Sequence, residues 1–136
     1  MRGVASIVRY AWAALPSLLG LMLALPALLC GATARVACGA IEIAGRPVQR
    51  AVGWMPRALR FRAITFGHVI LGVDHASLAA VRVHEQVHVR QYERWGPLFL
   101  PLYLASSAME LVRGHDPYRD NCFEREAFAE EAGARR

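Results

Sequence analysis

Two histidines four residues apart with a glutamate beside the first, His84-Glu85-Gln86-Val87-His88, are the residues of this chain best suited to chemistry. Positions i and i+4 of an α-helix share a face about one turn apart, so both imidazoles can hold one metal ion, and Zn²⁺ is the expected cofactor. Glu85 projects beside them. It is aimed too poorly to be a good ligand, but it can accept a proton from a water held by the metal, as the general base of metal-assisted peptide hydrolysis does. The plainer alternative is a pair of core histidines bonded to neighbouring strands or glutamates. Against it stands the rest of the helix, which contains Ala79, Ala80, Val81, Val83 and Val87. Two inward imidazoles and a carboxylate are costly in such surroundings without a partner. The polar positions Arg82, Gln86, Arg90 and Glu93 form their own stripe, which turns the histidines inward.

A hydrolytic zinc site needs a third protein ligand and one position left open for water. Gln91 and Arg94 stand where the compact HExxHxxGxxH pattern has its glycine and third histidine, so the ligand must come from downstream. Glu124 is the best candidate, because it opens the predicted last helix on one face with Ala127 and Phe128; Glu126 is its rival. Asn121 followed three residues later by Glu124 also reads as a capping box that needs no metal. Glu130 and Glu131 read as solvated helix surface. His68 either lines the cleft from the preceding strand, which could pair with an extended substrate, or is packing. His115, Tyr103 and Tyr118 are candidate donors to an oxyanion, while Gln91, Tyr92 and Trp95 read as core or cleft wall.

The motif, followed some thirty-five residues later by Glu124-Arg125-Glu126-Ala127, resembles the gluzincin pattern. It is most similar to membrane zinc peptidases related to the CAAX prenyl endopeptidases and to the β-lactam-sensor peptidases. The resemblance spans residues 84–129 and is specific only at the HExxH. It implies a zinc metallopeptidase in which His84, His88 and Glu124 are metal ligands and Glu85 is catalytic. In those families the third ligand sits in a Glu-x-x-Ala-Asp-like context, and the aspartate helps orient a metal histidine. Here Phe128 stands in the place of that aspartate.

The elements that must position these residues follow from pattern. Asp74 is a good N-cap, and no breaker intervenes before Gly96-Pro97, so the motif lies in a helix of about five or six turns ending at Trp95. Residues 36–44 and 61–73 read as two strands, with Gly67 and Gly72 marking a bulge or a close backbone approach. The basic stretch 48–60, with Trp54 and Met55, reads as an amphipathic piece at a membrane surface or as a helix covering the sheet. Residues 98–109 read as a buried or membrane-dipping helix, 113–119 as a polar loop and 121–132 as the last helix.

Residues 10–34 carry no charged side chain, and 11–30 is long and apolar enough to cross a bilayer as a helix. A retained anchor is expected over a cleaved signal peptide, because the run exceeds a usual signal core and contains Pro16 and Pro26. Arginines flank both ends: Arg2 and Arg9 before the run, Arg35, Arg46 and Arg50 after it. The net charge of +5 rests on 16 arginines and no lysine; without a basic block interleaved with aromatics, it suits anionic headgroups better than nucleic acid. Three unpaired cysteines, Cys30, Cys38 and Cys122, indicate neither a thiolate site nor a disulfide framework.

The expected protein is therefore α+β: a small sheet, an HExxH helix and a C-terminal ligand helix, with an N-terminal transmembrane helix. Residues 1–34 form the basic flank and anchor, and residues 35–136 the metal-binding domain. The expected function is hydrolysis of a peptide or protein substrate at a membrane of the bacterial inner-membrane type. The alternative is a non-catalytic zinc protein that uses the site structurally or within a complex.

Overall fold

The fold begins with two tight turns. In this computed structural model, which describes residues 2–136 with side chains from Val4 onward, Cys38 and Gly39 take φ values of 51° and 79°. Two successive positive φ values are what a type I′ hairpin turn requires. They close β1 (Thr33–Ala37) on β2 (Ala40–Ala44), with Ala37 opposite Ala40. Gly67, at φ 60°, opens the turn between β3 (Ala63–Phe66) and β4 (Val69–Gly72). β2 and β4 run parallel, Ile41 beside Val69, which gives a four-stranded mixed sheet in the order β1-β2-β4-β3. The two strands expected over 36–44 and 61–73 are thus two hairpins. Neither turn carries the Asn-Gly or Asp-Gly signature that marks one in sequence.

Strand side chains alternate between two covering helices. Ile43, Val69 and Leu71 meet Ala24 of α2 (Ala14–Leu29), while Ala40, Ala44 and Ile70 meet Leu78 and Val89 of α4 (His75–Trp95). α3 (Arg46–Trp54) leads out of β2 and covers the sheet on the α2 side through buried Val48 and Val52. α5 (Phe99–Val112) and α6 (Cys122–Ala134) follow, and α6 packs on α4. Phe99 is the one fully buried side chain of α5. Leu98, Leu102, Leu104 and Met109 are exposed, so of the two readings of 98–109, a buried or a membrane-dipping helix, the buried one is not met.

The apolar run near the N terminus is two helices. α1 (Arg2–Trp12) and α2 meet at a bend of 54°. Among the described residues no single helix is long and apolar enough to cross a membrane; the bent pair is a candidate by length and composition only. The single crossing helix expected over 11–30 is corrected accordingly. Pro16 has no N–H to offer the Trp12 carbonyl, which breaks the helical ladder where the bend occurs. Ala13 is fully buried at that point. Arg2 lies outside the residues whose side chains are described; Arg9, the other half of the expected basic start, sits 3.6 Å from Glu93 of α4.

α2 lies on the sheet through Pro16, Gly20 and Ala24, small residues one turn apart. A Cβ on Gly20 would come within 2.9 Å of the Cβ atoms of Phe66 and Val69. At Gly67 a Cβ would lie 2.6 Å from the Ser17 backbone nitrogen, the close backbone approach expected for that glycine. The His68 N–H donates to Ser17 Oγ at 2.9 Å beside it. Gly67→Ala should therefore destabilise the fold by roughly 2–4 kcal/mol, through overpacking and a strained positive φ. Gly53→Ala, on a helix with open space around it, should be neutral or mildly stabilising in the same thermal melts.

Candidate metal centre

Two hydrogen-bonded anchors set the rotation of α4. Asp74 caps it, its Oδ1 accepting from the Ser77 N–H at 2.7 Å, and Gly96 at φ 54° ends it. Arg82 donates from Nε and Nη2 to the two oxygens of buried Glu42 on β2, at 2.8 and 3.0 Å. Thr65 on β3 donates its hydroxyl to Glu85 Oε2 at 2.7 Å. With Arg82 and Glu85 held toward the sheet, His84 and His88 are carried round to face α6.

α6 is pinned by its own cap. Asn121, fully buried, accepts from the Phe123 N–H at 2.9 Å and donates to the Tyr103 carbonyl and Ser107 Oγ of α5 at 3.0 and 2.7 Å. Glu124 does not turn back to complete the capping box. Its carboxylate lies between α4 and α5, 3 % exposed, with Oε1 accepting from the Tyr103 hydroxyl at 2.6 Å. Oε2 is 3.0 Å from His84 Nε2, Oε1 is 3.4 Å from His88 Nε2, and the two Nε2 atoms are 3.2 Å apart.

These three side chains could hold a metal ion. Donors bonded to a tetrahedral zinc at about 2.0–2.1 Å stand about 3.3 Å from one another; the two Nε2 atoms match that at 3.2 Å, and each has a different Glu124 oxygen at 3.0 or 3.4 Å. Two imidazole nitrogens and a carboxylate facing one another inside a protein must share a cation, whether a proton or a metal ion. The outer nitrogens are provided for as well. His88 Nδ1 is 2.8 Å from Gln91 Oε1, an amide oxygen that can only accept, so the Nδ1–H donates and the ring is held with Nε2 facing the cluster. His84 Nδ1 faces the Glu131 carboxylate at 3.5 Å, and its ring packs edge-on against Phe128 with centroids 4.8 Å apart.

Electrostatics separates the two central carboxylates. Burial pushes Glu85 up from the ordinary carboxylate range, against the pull of His88 and the Thr65 hydrogen bond. Burial acts on Glu124 in the same sense, but hydrogen bonds from His84 and His88 overcome it and hold the group at about 2. Burial pulls His88 down, yet Glu124 and Glu85 leave it raised overall. Burial, then the Glu124 carboxylate, pushes the Tyr103 hydroxyl up and keeps it a donor.

The other residues singled out in the sequence go elsewhere. Glu126 accepts from Gln91 Nε2 at 2.7 Å and does not join the cluster. His68 sits in the β3–β4 turn, stacked on Tyr10 and 3.0 Å from Glu93. His115 is 2.7 Å from Glu110. Tyr118 is the exception: it packs on Phe128 and its hydroxyl interacts with Glu124, burial and then that carboxylate pushing it up. Tyr92 is core beside Phe99. Glu131 is corrected from solvated surface to neighbour of His84; Gln91, read as core or cleft wall, is buried and is also the partner of His88. Both had a signal: Gln91 is three residues after His88, and Glu131 is seven after Glu124, each on the ligand face of its helix. Thr65 carried none.

No known protein family, curated protein or solved structure matches the chain. The geometry alone therefore predicts how the site responds to change. Gln91→Ala and Glu131→Ala should each weaken divalent-metal binding by about 10–100-fold, measured by competition with a chelating dye. Glu130→Ala, which removes only an exposed partner of Arg90, should leave the affinity unchanged.

Proposed function

We propose that the protein is a zinc-dependent peptide hydrolase attached to a membrane through α1 and α2. The observation that carries this reading is the convergence of His84, His88 and Glu124, with Glu85 next to His84 and itself not among the donors. Such a set suits Zn²⁺, which when bound would lower the pKa of a water and polarise a substrate carbonyl. Glu85 is the proton carrier: raised by burial, it takes a proton from the attacking water and passes it to the leaving amine. Thr65 fixes the orientation of that carboxylate through Oε2. Tyr103 orients Glu124, and Gln91 and Glu131 orient the histidines. Because β3 is an outer strand of the sheet and carries Thr65, an extended peptide paired along it would lie beside Glu85.

Membrane attachment is supported by the outer face of α2, where Leu15, Leu18, Met22, Leu25 and Leu29 are exposed while the small residues face the sheet. Water-exposed leucine and methionine in this number mark a face that meets lipid or protein. The intact chain should stay in the membrane fraction after carbonate washing. Its N terminus should be retained there, since losing residues 1–34 would also remove Ala13, Ser17, Gly20 and Ala24 from the packing of the sheet. Full release of uncleaved protein by carbonate would refute the attachment.

The alternative, a zinc site that serves structure without catalysis, is favoured by the burial of all three donors. Replacing one carboxylate separates the two. Glu85→Gln should keep about one zinc per chain while lowering chelator-sensitive cleavage of a peptide library by about 10²–10⁴-fold. Glu124→Gln should instead lose zinc. Cleavage by Glu85→Gln at the wild-type rate would sink the mechanism; zinc-loaded wild type that cleaves nothing would make the structural reading the better one.

A further inference from the structure

The charge of this chain is unevenly neutralised. Arg46, Arg50, Arg57, Arg60 and Arg62 fall in a stretch without a single acidic residue, and they equal the whole net charge of +5; the other eleven arginines match the eleven acidic residues. Much of that balance is local. Arg9, Arg82, Arg90, Arg94, Arg113 and Arg135 each pair with a carboxylate. Among the described residues, Arg46, Arg50 and Arg57 are in no ion pair and are exposed. The surplus positive charge is thus concentrated on and just after α3.

The same region holds an apolar cavity of about 540 Å³ between α2, α3 and the sheet. Leu23 and Ala27 of α2, Val52 of α3, and Ile64 and Leu71 of the sheet are among its walls, and among the described residues Arg50 is the only charged side chain lining it. Trp54, also on its wall, is 87 % exposed. A tryptophan at the edge of an apolar space with arginines around it is the arrangement found where protein meets lipid headgroups. The cavity adjoins α2, whose outer face carries the exposed leucines.

We infer that this cavity binds one acyl chain of an anionic phospholipid, with the phosphate held by the guanidinium groups of α3 and the turn after it. Its volume lies within the range of about 300–1,000 Å³ typical of small-molecule sites. Unpaired guanidinium groups offer the planar, two-pronged donors that suit phosphate oxygens. Arg50, on the cavity wall, joins the apolar and charged parts of the site. The inference is independent of the peptidase reading. It draws on membrane attachment only for the source of the lipid, and a chain that failed the carbonate test could still retain lipid here.

Native mass spectrometry of the full chain, released from detergent after incubation with equal amounts of phosphatidylglycerol and phosphatidylcholine, tests it. About one phosphatidylglycerol per chain should be retained, in preference to phosphatidylcholine by a factor on the order of ten. The triple variant Arg46→Ala, Arg50→Ala, Arg57→Ala should lose the preference. Ala51→Trp, an exposed position on the cavity wall, should reduce retention of both lipids by narrowing the acyl site. Thermal melts should show both variants folded as wild type, since all four positions are exposed. Equal retention of the two lipids by wild type, or unchanged phosphatidylglycerol retention in the folded triple variant, would overturn the proposal.

Discussion

A carboxylate and two imidazoles enclosed between helices set the terms for everything around them. Glu124, His84 and His88 are all buried, and removing one partner of such a group leaves uncompensated polarity in an apolar interior, at a cost of about 3–5 kcal/mol. The surroundings answer that cost atom by atom. Tyr103 donates to Glu124, Gln91 accepts from His88, and Glu131 faces the outer nitrogen of His84. The cluster therefore specifies how α4, α5 and α6 meet. A small shift of α6 would separate the donors and leave several polar atoms unpaired at once.

The sheet supplies the opposite constraint. Ion pairing of Glu42 with Arg82 and the Thr65–Glu85 hydrogen bond hold the sheet-facing side of α4 and so determine which side is left for α6. Glu85 reaches the sheet through Thr65 yet stays close enough to His84, His88 and Glu124 to feel their charges. Burial raises it while the histidines hold Glu124 low, so two neighbouring carboxylates are pushed apart in pKa.

On its other face the sheet is covered by a helix that is unlike a free-standing membrane anchor. α2 presents small residues inward so that Gly20 can meet Phe66 and Val69 and Ser17 can meet Gly67. α1 then returns across α4, with Trp12 against Gly96 and Arg9 near Glu93. The N-terminal helices are part of the packed fold. The outward leucines of α2 and the unneutralised arginines after β2 lie on the side of the sheet away from His84, His88 and Glu124.

Features resting on local interactions were legible in the sequence. The helix from Asp74 to Trp95 follows from a cap, a clean run and a Gly-Pro stop, and the shared face of His84 and His88 follows from helical periodicity alone. The α+β class and the last helix after Asn121 were legible for the same reason. The hairpin turns were not, because Cys38-Gly39 and Gly67-His68 are weak turn signals whose meaning depends on the strands they join. The bend after Trp12 had one signal, Pro16, set in a run whose composition otherwise suits a single helix. Above all, Asn121 and Glu124 spell a capping box as well as a ligand, and sequence cannot rank the two. The fold decided it: docking of Asn121 on α5 carries the Glu124 carboxylate toward His84 and His88, and a carboxylate buried there is better served by those imidazoles than by its own backbone.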